Sequence, residues 1–452
     1  MNKLINFLKK NRVSVPIWLG LLVNKLPYHR RPGIGKLYKQ QQVEIKNYSE
    51  LSVDDKKVYI YKNFMKIFVH AYENVDFYKD LYSKNNISPE DIKCYEDIEK
   101  VPIIKKEDLV KYDIEKRSFP VKNRLLVNTG GSSGRSLSFY MDPNRYGNEW
   151  AHIHDMWAKL GFKPSKLKLS FDGRVKKDHK IVYDFARNSL LYDIYISPDV
   201  VRYQLLDLFK KYSIEYFHGY PSAIYEFALY CEHDLELLKL IKKHLKGVFL
   251  SSEYPSPHYR KKIEKVFNTS TQSFYGHTET CIMAVEINEY EYDVYQTYGY
   301  AEAIQMGESY HLVGTSYFNY ASPLIRYDTS DLIECIDMND SILEKFSIKE
   351  GRLGEFVLDE NSNKIPLTGL IYGRHHELFN VSEHIQIFQP IKGEMIVIYT
   401  TNTEIDEVRA RDLFDSTNVE LVISFKKVDK PILSKSGKIN LLVNKEQFEN
   451  II

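Results

Sequence analysis

The segment Asn128-Thr129-Gly130-Gly131-Ser132-Ser133-Gly134-Arg135-Ser136 lies between two strand-like runs, the apolar Arg124-Leu-Leu-Val127 and the alternating Leu137-Ser-Phe-Tyr-Met141. Its glycines let backbone N–H groups converge, and its hydroxyls add further donors, a combination suited to phosphate. The spacing predicts a strand-loop-strand cradle. A P-loop would need Lys after its last glycine and a helix beyond it, whereas Arg135 follows Gly134 and a strand-like run comes next. Gly130 to Gly134 also matches the Gly-x-Ser-x-Gly elbow of serine hydrolases, which requires a strand-to-helix turn; the strand-like continuation argues against it. A solvent-exposed turn of small residues is the plain alternative.

At 452 residues, with 43% hydrophobic and 27% charged residues, the chain is long enough for a large core and more than one domain. Its 62 basic and 61 acidic residues leave a net charge of +1, without the field that captures a nucleic-acid backbone. Cys94, Cys231, Cys281 and Cys335 are far apart in sequence, so neither a disulfide framework nor a thiolate zinc site is expected, and a reducing cytoplasmic location is. Near the start, Lys9, Lys10 and Arg12 precede the apolar run Val15 to Val23. That run is far shorter than the ~20 residues of a membrane-spanning helix, and no small-residue cleavage site follows. An internal helix is expected there. Weak attachment to a membrane surface through the basic segment 1–12, with Leu4, Ile5, Phe7 and Leu8 on its apolar side, stays open.

Between 51 and 110 the pattern is helical, with Val58, Tyr61, Phe64, Met65, Phe68, Val69 and Tyr72 as an apolar stripe. Strand-like runs at 246–251 and 271–275 alternate with helical patterns at 222–232 and 258–267, which predicts an α/β architecture. Beyond 351 the elements shorten to a hairpin signal at 361–364, a helix over 404–415 and a strand over 419–426, a small α+β unit. The expected organisation is a large, multilayered α/β domain over 1–352, mostly helical up to 110, followed by a small mobile α+β domain over 353–452.

Further motifs carry chemistry. Tyr275-Gly276-His277-Thr278-Glu279 brings an aromatic face, a hydroxyl and a carboxylate together, and Ser322-Pro-Leu-Ile-Arg-Tyr327-Asp-Thr-Ser-Asp331 ends on a carboxylate able to accept two ribose hydroxyls. Gly351-Arg352 precedes the small domain, and Ser434-Lys-Ser-Gly-Lys438 presents a lysine on a turn. With the blocks His70 to Leu81, Glu99 to Lys106 and Phe217-His218-Gly219-Tyr220-Pro221-Ser222, these motifs resemble, in order and over nearly the whole chain, the adenylate-forming superfamily. The resemblance is to its phenylacetate-CoA ligase-like branch, which includes capsular-polysaccharide biosynthesis proteins.

The resemblance implies attack of a carboxylate on the α-phosphate of ATP, giving an acyl-adenylate and pyrophosphate, and then displacement of AMP by a second nucleophile. Such attack on an anionic phosphate needs charge neutralisation and alignment. By resemblance, Thr129, Gly130, Gly131, Ser132, Ser133 and Gly134 surround the departing phosphates, Glu279 holds Mg2+, and Thr278 contacts the α-phosphate. Tyr275 and Gly276 lie against adenine beside Ser252 and Glu253, Asp331 holds the ribose, and Arg352 lies near the domain junction. Lys438 supplies positive charge to the attacking carboxylate. His218, Tyr220, Ser251, His277 and Cys281 line the acyl pocket. Each has a plain competitor: Tyr275 as a core aromatic, Glu279 as a charge at a helix start, Asp331 as a turn residue, Lys438 as a solvated lysine with Lys435 as its rival.

The chain departs from the family pattern at Gly354, where relatives carry Asp or Lys at the hinge, and at Leu441, where many carry arginine; Gly373-Arg374 is a rival junction. The acid to be activated is a small carboxylic acid or an amino acid, and the acyl acceptor is a sugar of a surface polysaccharide, a carrier or coenzyme A. No nucleic acid is expected. A serine hydrolase using Ser132, a noncatalytic nucleotide-binding protein and a scaffold of polysaccharide assembly are the rivals.

Overall fold

In the computed structural model, residues 15–31, 35–128, 137–172, 181–253, 255, 257–307, 309–348, 356–367, 370–371, 374, 376–382, 384–401, 403–432 and 441–449 are described. They divide between two compact units. The first comprises 1–127, 139–166 and 272–352; the second comprises 128–138, 167–271 and 353–452.

The first unit begins with helices. Ser52 caps Val53–Asn74 by accepting from the Asp55 amide at 3.2 Å, and Asp54 and Asp55 complement the positive end of the helix dipole. Its buried face is Ile60, Phe64, Ile67, Phe68 and Ala71. The helix matches the expected period, but its face is rotated. Phe64 and Phe68 are buried as expected, whereas Val58 is exposed and Tyr61 is half-buried with its hydroxyl donating to the Ile92 carbonyl at 3.0 Å. Rotation puts Ile60, Ile67 and Ala71 inward beside Phe64 and Phe68, turns Val58 to solvent and leaves the tyrosine hydroxyl near the surface. The helices Asp76–Lys84 and Lys106–Val110 follow.

The main sheet of this unit is an antiparallel series in the order Gly299–Met306, Ser309–Ser316, Tyr327–Asn339, Ile342–Ile348, Glu291–Val294, Met283–Asn288 and Thr271–Gly276. Adjacent strands are mostly joined by short turns, as antiparallel pairing permits. The short strands Leu125–Asn128 and Ser138–Met141 pair with each other. The loop between them, 129–136, lies outside the described residues.

In the second unit Gly247–Leu250, Ile214–Gly219, Leu167–Asp172 and Ser189–Asp193 run parallel in that order, and Ile181–Asp184 joins antiparallel to the last. Parallel neighbours need crossovers, and the helices Pro221–His233 and Leu235–His244 form one of them. The near-continuous burial of Ile214 to Phe217 and of Gly247 to Leu250 reflects a sheet covered on both faces. The strands and helices expected over 222–275 are therefore present, with ends shifted by one or two residues, and the chain is α/β.

Residues 356–449 contribute the hairpin Phe356–Leu358/Lys364–Pro366 and a sheet ordered Val422–Lys427, Glu394–Thr400, His384–Phe388, Leu442–Val443. The helix Glu407–Asp412 is shorter than the span expected from sequence. A core of Val357, Leu378, Ile385, Val397, Ala410 and Phe425, among others, packs partly buried Tyr195 against it.

Candidate active site

Tyr275 ends the strand Thr271–Gly276 in the first unit and is 9% exposed. Its hydroxyl donates to Asp331 Oδ2 at 2.6 Å, although 56 positions separate them. Burial, then the Asp331 carboxylate, push the phenol far above its usual range, so Tyr275 stays a protonated donor. The edge of its ring meets Phe346 at 5.3 Å between centroids. Next to it, Gly276 is exposed, and a Cβ built there meets nothing closer than Phe274 Cε2 at 3.5 Å. A flat group can therefore approach this backbone.

The turn after the strand carries His277 and Glu279. His277 Nδ1 lies 3.1 Å from Glu279 Oε2. Burial opposes the Glu279 charge, but the His277 hydrogen bond leads a set of favourable interactions, including the positive charge of Lys106, that leave its pKa lowered. Glu279 is thus an ionised, half-buried carboxylate. That suits magnesium, which binds through one or two carboxylates and keeps phosphate oxygens and water for the rest of its shell. Among the described residues no group of three or more His, Cys, Asp or Glu forms a cage for a metal ion. Thr278 is half-buried between the pair. Cys281 is fully buried, its Sγ lies 3.6 Å from the Glu279 carbonyl, and burial pushes its thiol well above the ordinary range. It supports the turn from behind as an inert side chain.

Asp331 lies within the strand Tyr327–Asn339 just after Ser330, which adopts φ +64°, a conformation that favours glycine, and whose amide donates to Asp328 Oδ1 at 2.8 Å. His311 Nδ1 stands 3.3 Å from the same Asp328 oxygen. The strand Ser138–Met141, beyond the glycine loop, is pinned to the segment 319–322: Ser322 Oγ accepts from the Tyr140 amide at 2.9 Å, and Asn319 Oδ1 accepts from the Asp142 amide at 2.9 Å. At the ends of the loop, Ser138 Oγ donates to Asn128 Oδ1 at 2.6 Å. A strand over Ser138–Met141 is not the helix that a serine-hydrolase elbow places after its nucleophile.

In the second unit, His218 Nε2 lies 3.2 Å from Ser251 Oγ. Burial, then the charges of Lys168 and Arg187, lower the His218 pKa to about 3, so the imidazole is neutral at physiological pH. Gly219 has φ +154°, and a Cβ there would stand 2.7 Å from Phe171 Cβ, which fixes glycine beside His218. Tyr220, half-buried, starts the helix Pro221–His233, and Glu253 Oε2 accepts from the Ser222 amide at 3.1 Å at that helix start. Ser252 is exposed at φ +68°. Within each unit the structure therefore brings together two sets: Tyr275, His277, Glu279 and Asp331 in one, and His218, Ser251 and Glu253 in the other. Thr129, Gly130, Gly131, Ser132, Ser133, Gly134, Arg352 and Lys438 lie outside the described residues. Arg374, the rival junction arginine, donates to the carbonyls of Asp415 at 3.1 Å and Thr417 at 2.5 Å and lies over the Tyr195 ring.

No model of a known protein family matches the chain. It is 26% identical to Protein CapK of Staphylococcus aureus over 283 residues, which cover 60% of this chain and 62% of CapK, less than two thirds of that relative. To phenylacetate-coenzyme A ligase of Pseudomonas putida it is 22% identical over 343 residues, covering 66% of this chain and 70% of the ligase. A solved 2-hydroxyisobutyryl-CoA ligase in the postadenylation state, in complex with R3-HIB-AMP, shares its fold with a TM-score of 0.53 at 14% identity, over 88% of this chain and 92% of the ligase. The same ligase in the thioesterification state, with 2-HIB-AMP and CoA, also gives a TM-score of 0.53, at 15% identity. The chain resembles the adenylate-forming superfamily in sequence and shares the fold of these ligases.

Both sequence relatives agree with the resemblance to the phenylacetate-CoA ligase-like branch. Residues to which the sequence reading gave no role stiffen the framework of the first unit. Arg326 is 4% exposed and makes a two-pronged contact with Glu302, Nε to Oε2 at 3.1 Å and Nη2 to Oε1 at 2.8 Å. It also donates to the carbonyls of Glu99 and Val101, each at 2.7 Å. This clamp, with the Ile104 bridge to Tyr327, sets the segment that carries Lys106 beside the Asp331 strand. Its sequence signal was the Arg preceding Tyr327; Glu302 gave none.

Proposed function

We propose that the protein activates a small carboxylic acid with ATP, forming an acyl-adenylate and pyrophosphate, and then transfers the acyl group to an acceptor. The observation that carries this reading is the 2.6 Å bond from Tyr275 to Asp331, in the same unit as the ionised Glu279. One side chain suited to a base, one suited to ribose hydroxyls and one suited to a magnesium-bound phosphate are built into a single framework. Tyr275 holds Asp331 in the orientation that accepts the two ribose hydroxyls, while Gly276 leaves room for the adenine face. Glu279 holds magnesium, which when bound neutralises phosphate charge as it develops. Thr278 donates to the α-phosphate, the glycine loop 129–134 holds the departing phosphates, and Lys438 draws the attacking carboxylate to phosphorus. Ser252 and Glu253 belong to the adenine side, and His218, Tyr220 and Ser251 to the acyl side.

The acceptor follows the relatives. Coenzyme A is supported by the names of the phenylacetate-coenzyme A ligase and the 2-hydroxyisobutyryl-CoA ligase. Transfer to a sugar amine or hydroxyl of a capsular polysaccharide is the second reading, supported by the similarity to CapK.

The test is acid-dependent exchange of labelled pyrophosphate into ATP, with a panel of aryl acids, short hydroxy acids and amino acids. Exchange by the wild type should fall by about 10²–10³ in Glu279→Ala and in Lys438→Ala. Tyr275→Phe should mainly raise the KM for ATP. ATP binding without exchange for any acid would count against the reading. Where exchange is found, coenzyme A or a sugar amine is added, and the thioester or amide product identifies the acceptor.

A further inference from the structure

We propose that the surface around the helix Ile17–Val23 docks on an anionic phospholipid bilayer. Two independent features carry the assignment. The first is an exposed apolar face: Trp18, Leu19, Leu22 and Leu26 are 61%, 40%, 53% and 56% exposed. On the helix Trp18 and Leu22, one turn apart with Leu19 beside them, project from one side, and Leu26 is exposed just past the helix end. Gly20 and Asn24 occupy the buried side.

This apolar face is displayed by a built mount. The Asn24 side chain donates to the Gly20 carbonyl at 2.8 Å, and Arg31 Nη2 donates to the Asn24 carbonyl at 2.9 Å. Arg31 also lies 4.8 Å from the centre of the Tyr28 ring. Tyr28 is buried, with ring centroids 4.9 Å from Tyr38 and 4.6 Å from His154. The chain beneath the face is therefore fastened to the first unit while the tryptophan and leucines point to solvent. A cluster of this kind marks an interaction surface.

The second feature, charge, selects the occupant. The first acidic residue of the chain is Glu44, and nine lysines and arginines precede it, although the whole chain is only +1. Lys25, Arg30, Lys36 and Lys39 are exposed among the described residues of this stretch. Tryptophan and leucine on one face with basic residues around them match the chemistry of an anionic bilayer: the side chains enter the boundary between headgroups and acyl chains, and the cations meet the headgroup phosphates. No helix of the described residues is long and apolar enough to cross a membrane, so docking is to the surface.

The test uses the full chain and sedimentation with vesicles of phosphatidylcholine alone or with phosphatidylglycerol. Binding should require phosphatidylglycerol and fall by about tenfold or more between low and 0.5 M salt, as screening shortens the reach of the charges. Replacing Trp18→Ser, Leu22→Ser and Leu26→Ser together should abolish binding with the melting temperature unchanged, and Lys25→Glu with Arg30→Glu should weaken it severalfold. In the wild type, the emission of the exposed Trp18 should shift blue and be quenched by brominated acyl chains, a readout that needs no variant. The proposal is overturned if the wild type ignores phosphatidylglycerol vesicles at low salt, or if the triple variant binds them as well as the wild type. It is equally overturned if the three substitutions dissolve a wild-type dimer that has no affinity for vesicles.

Discussion

Glu279 shows how one side chain can be largely withdrawn from water and still be charged. Taking a carboxylate out of water favours its neutral form, and here the His277 hydrogen bond heads the interactions that reverse the effect. A carboxylate with a depressed pKa stabilises the fold above its unfolded value, and that contribution is lost as pH falls through the folded value. Glu279→Gln keeps the shape without the titration. The stability difference between wild type and Glu279→Gln, taken from urea melts, should therefore be constant from pH 7 to about 5.5 and shift against the wild type below about 4.5. A difference independent of pH down to 3 would show that the His277 contact does not hold the charge. Cys281, two positions on, was a pocket candidate in the sequence only through the family resemblance. Its full burial depends on a distant strand: Gly314 comes so close that a Cβ built there would lie 2.7 Å from Cys281 Cβ.

At the scale of elements, the turn bearing His277 and Glu279 is set by how closely two strands approach it. A Cβ built on Gly299 would lie 2.0 Å from the Cys281 carbonyl oxygen and 2.7 Å from that of Thr315. Both obstacles are backbone, so neither can move aside as a flexible side chain would. Gly299→Ala should cost about 3 kcal/mol or more, read from urea melts, and pyrophosphate exchange should fall because the displaced segment carries Glu279. Gly276→Ala is the matched control, since its Cβ meets only ordinary contacts. Its stability should stay within about 0.5 kcal/mol of wild type, while its KM for ATP rises if adenine lies on that backbone. Equal stability losses in both would mean that the strand approach is not what sets the turn. Local order of this kind was legible in part. Periods of two and of three to four residues gave most strands and helices, because they record which face each element buries. They did not give the rotation that exposes Val58, nor the pairing of Tyr275 with Asp331 or of Arg326 with Glu302, because those depend on which distant segments meet.

Across the whole molecule, the same limit governs which segments assemble. Residues 353–452 read from sequence as a small mobile α+β domain, and in the structure they group with 128–138 and 167–271 in one compact unit. The contacts are specific. Asn418 Nδ2 donates to the buried Asp193 Oδ2 at 2.7 Å, Lys364 Nζ pairs with Glu226 at 2.8 Å, and the Arg374 guanidinium lies 4.8 Å from the centre of the Tyr195 ring. The Lys364–Glu226 pair is about one-third exposed on each side, so it contributes little. Tyr195 and Asn418 are the residues to test, because Tyr195 packs on the C-terminal core and Asn418 meets a buried carboxylate. In Tyr195→Ala with Asn418→Ala, amide hydrogen exchange should quicken by about 10- to 100-fold in His384–Phe388 and Glu394–Thr400, the change expected for losing 1–3 kcal/mol of local stability. The strands Gly299–Met306 and Ser309–Ser316, in the other unit, should keep their protection. Unchanged exchange in the C-terminal strands would show that the 167–271 segment does not brace them. Uniform loosening of both units would show that the substitutions act on global stability, which would refute Tyr195 and Asn418 as the specific source of coupling within the second unit.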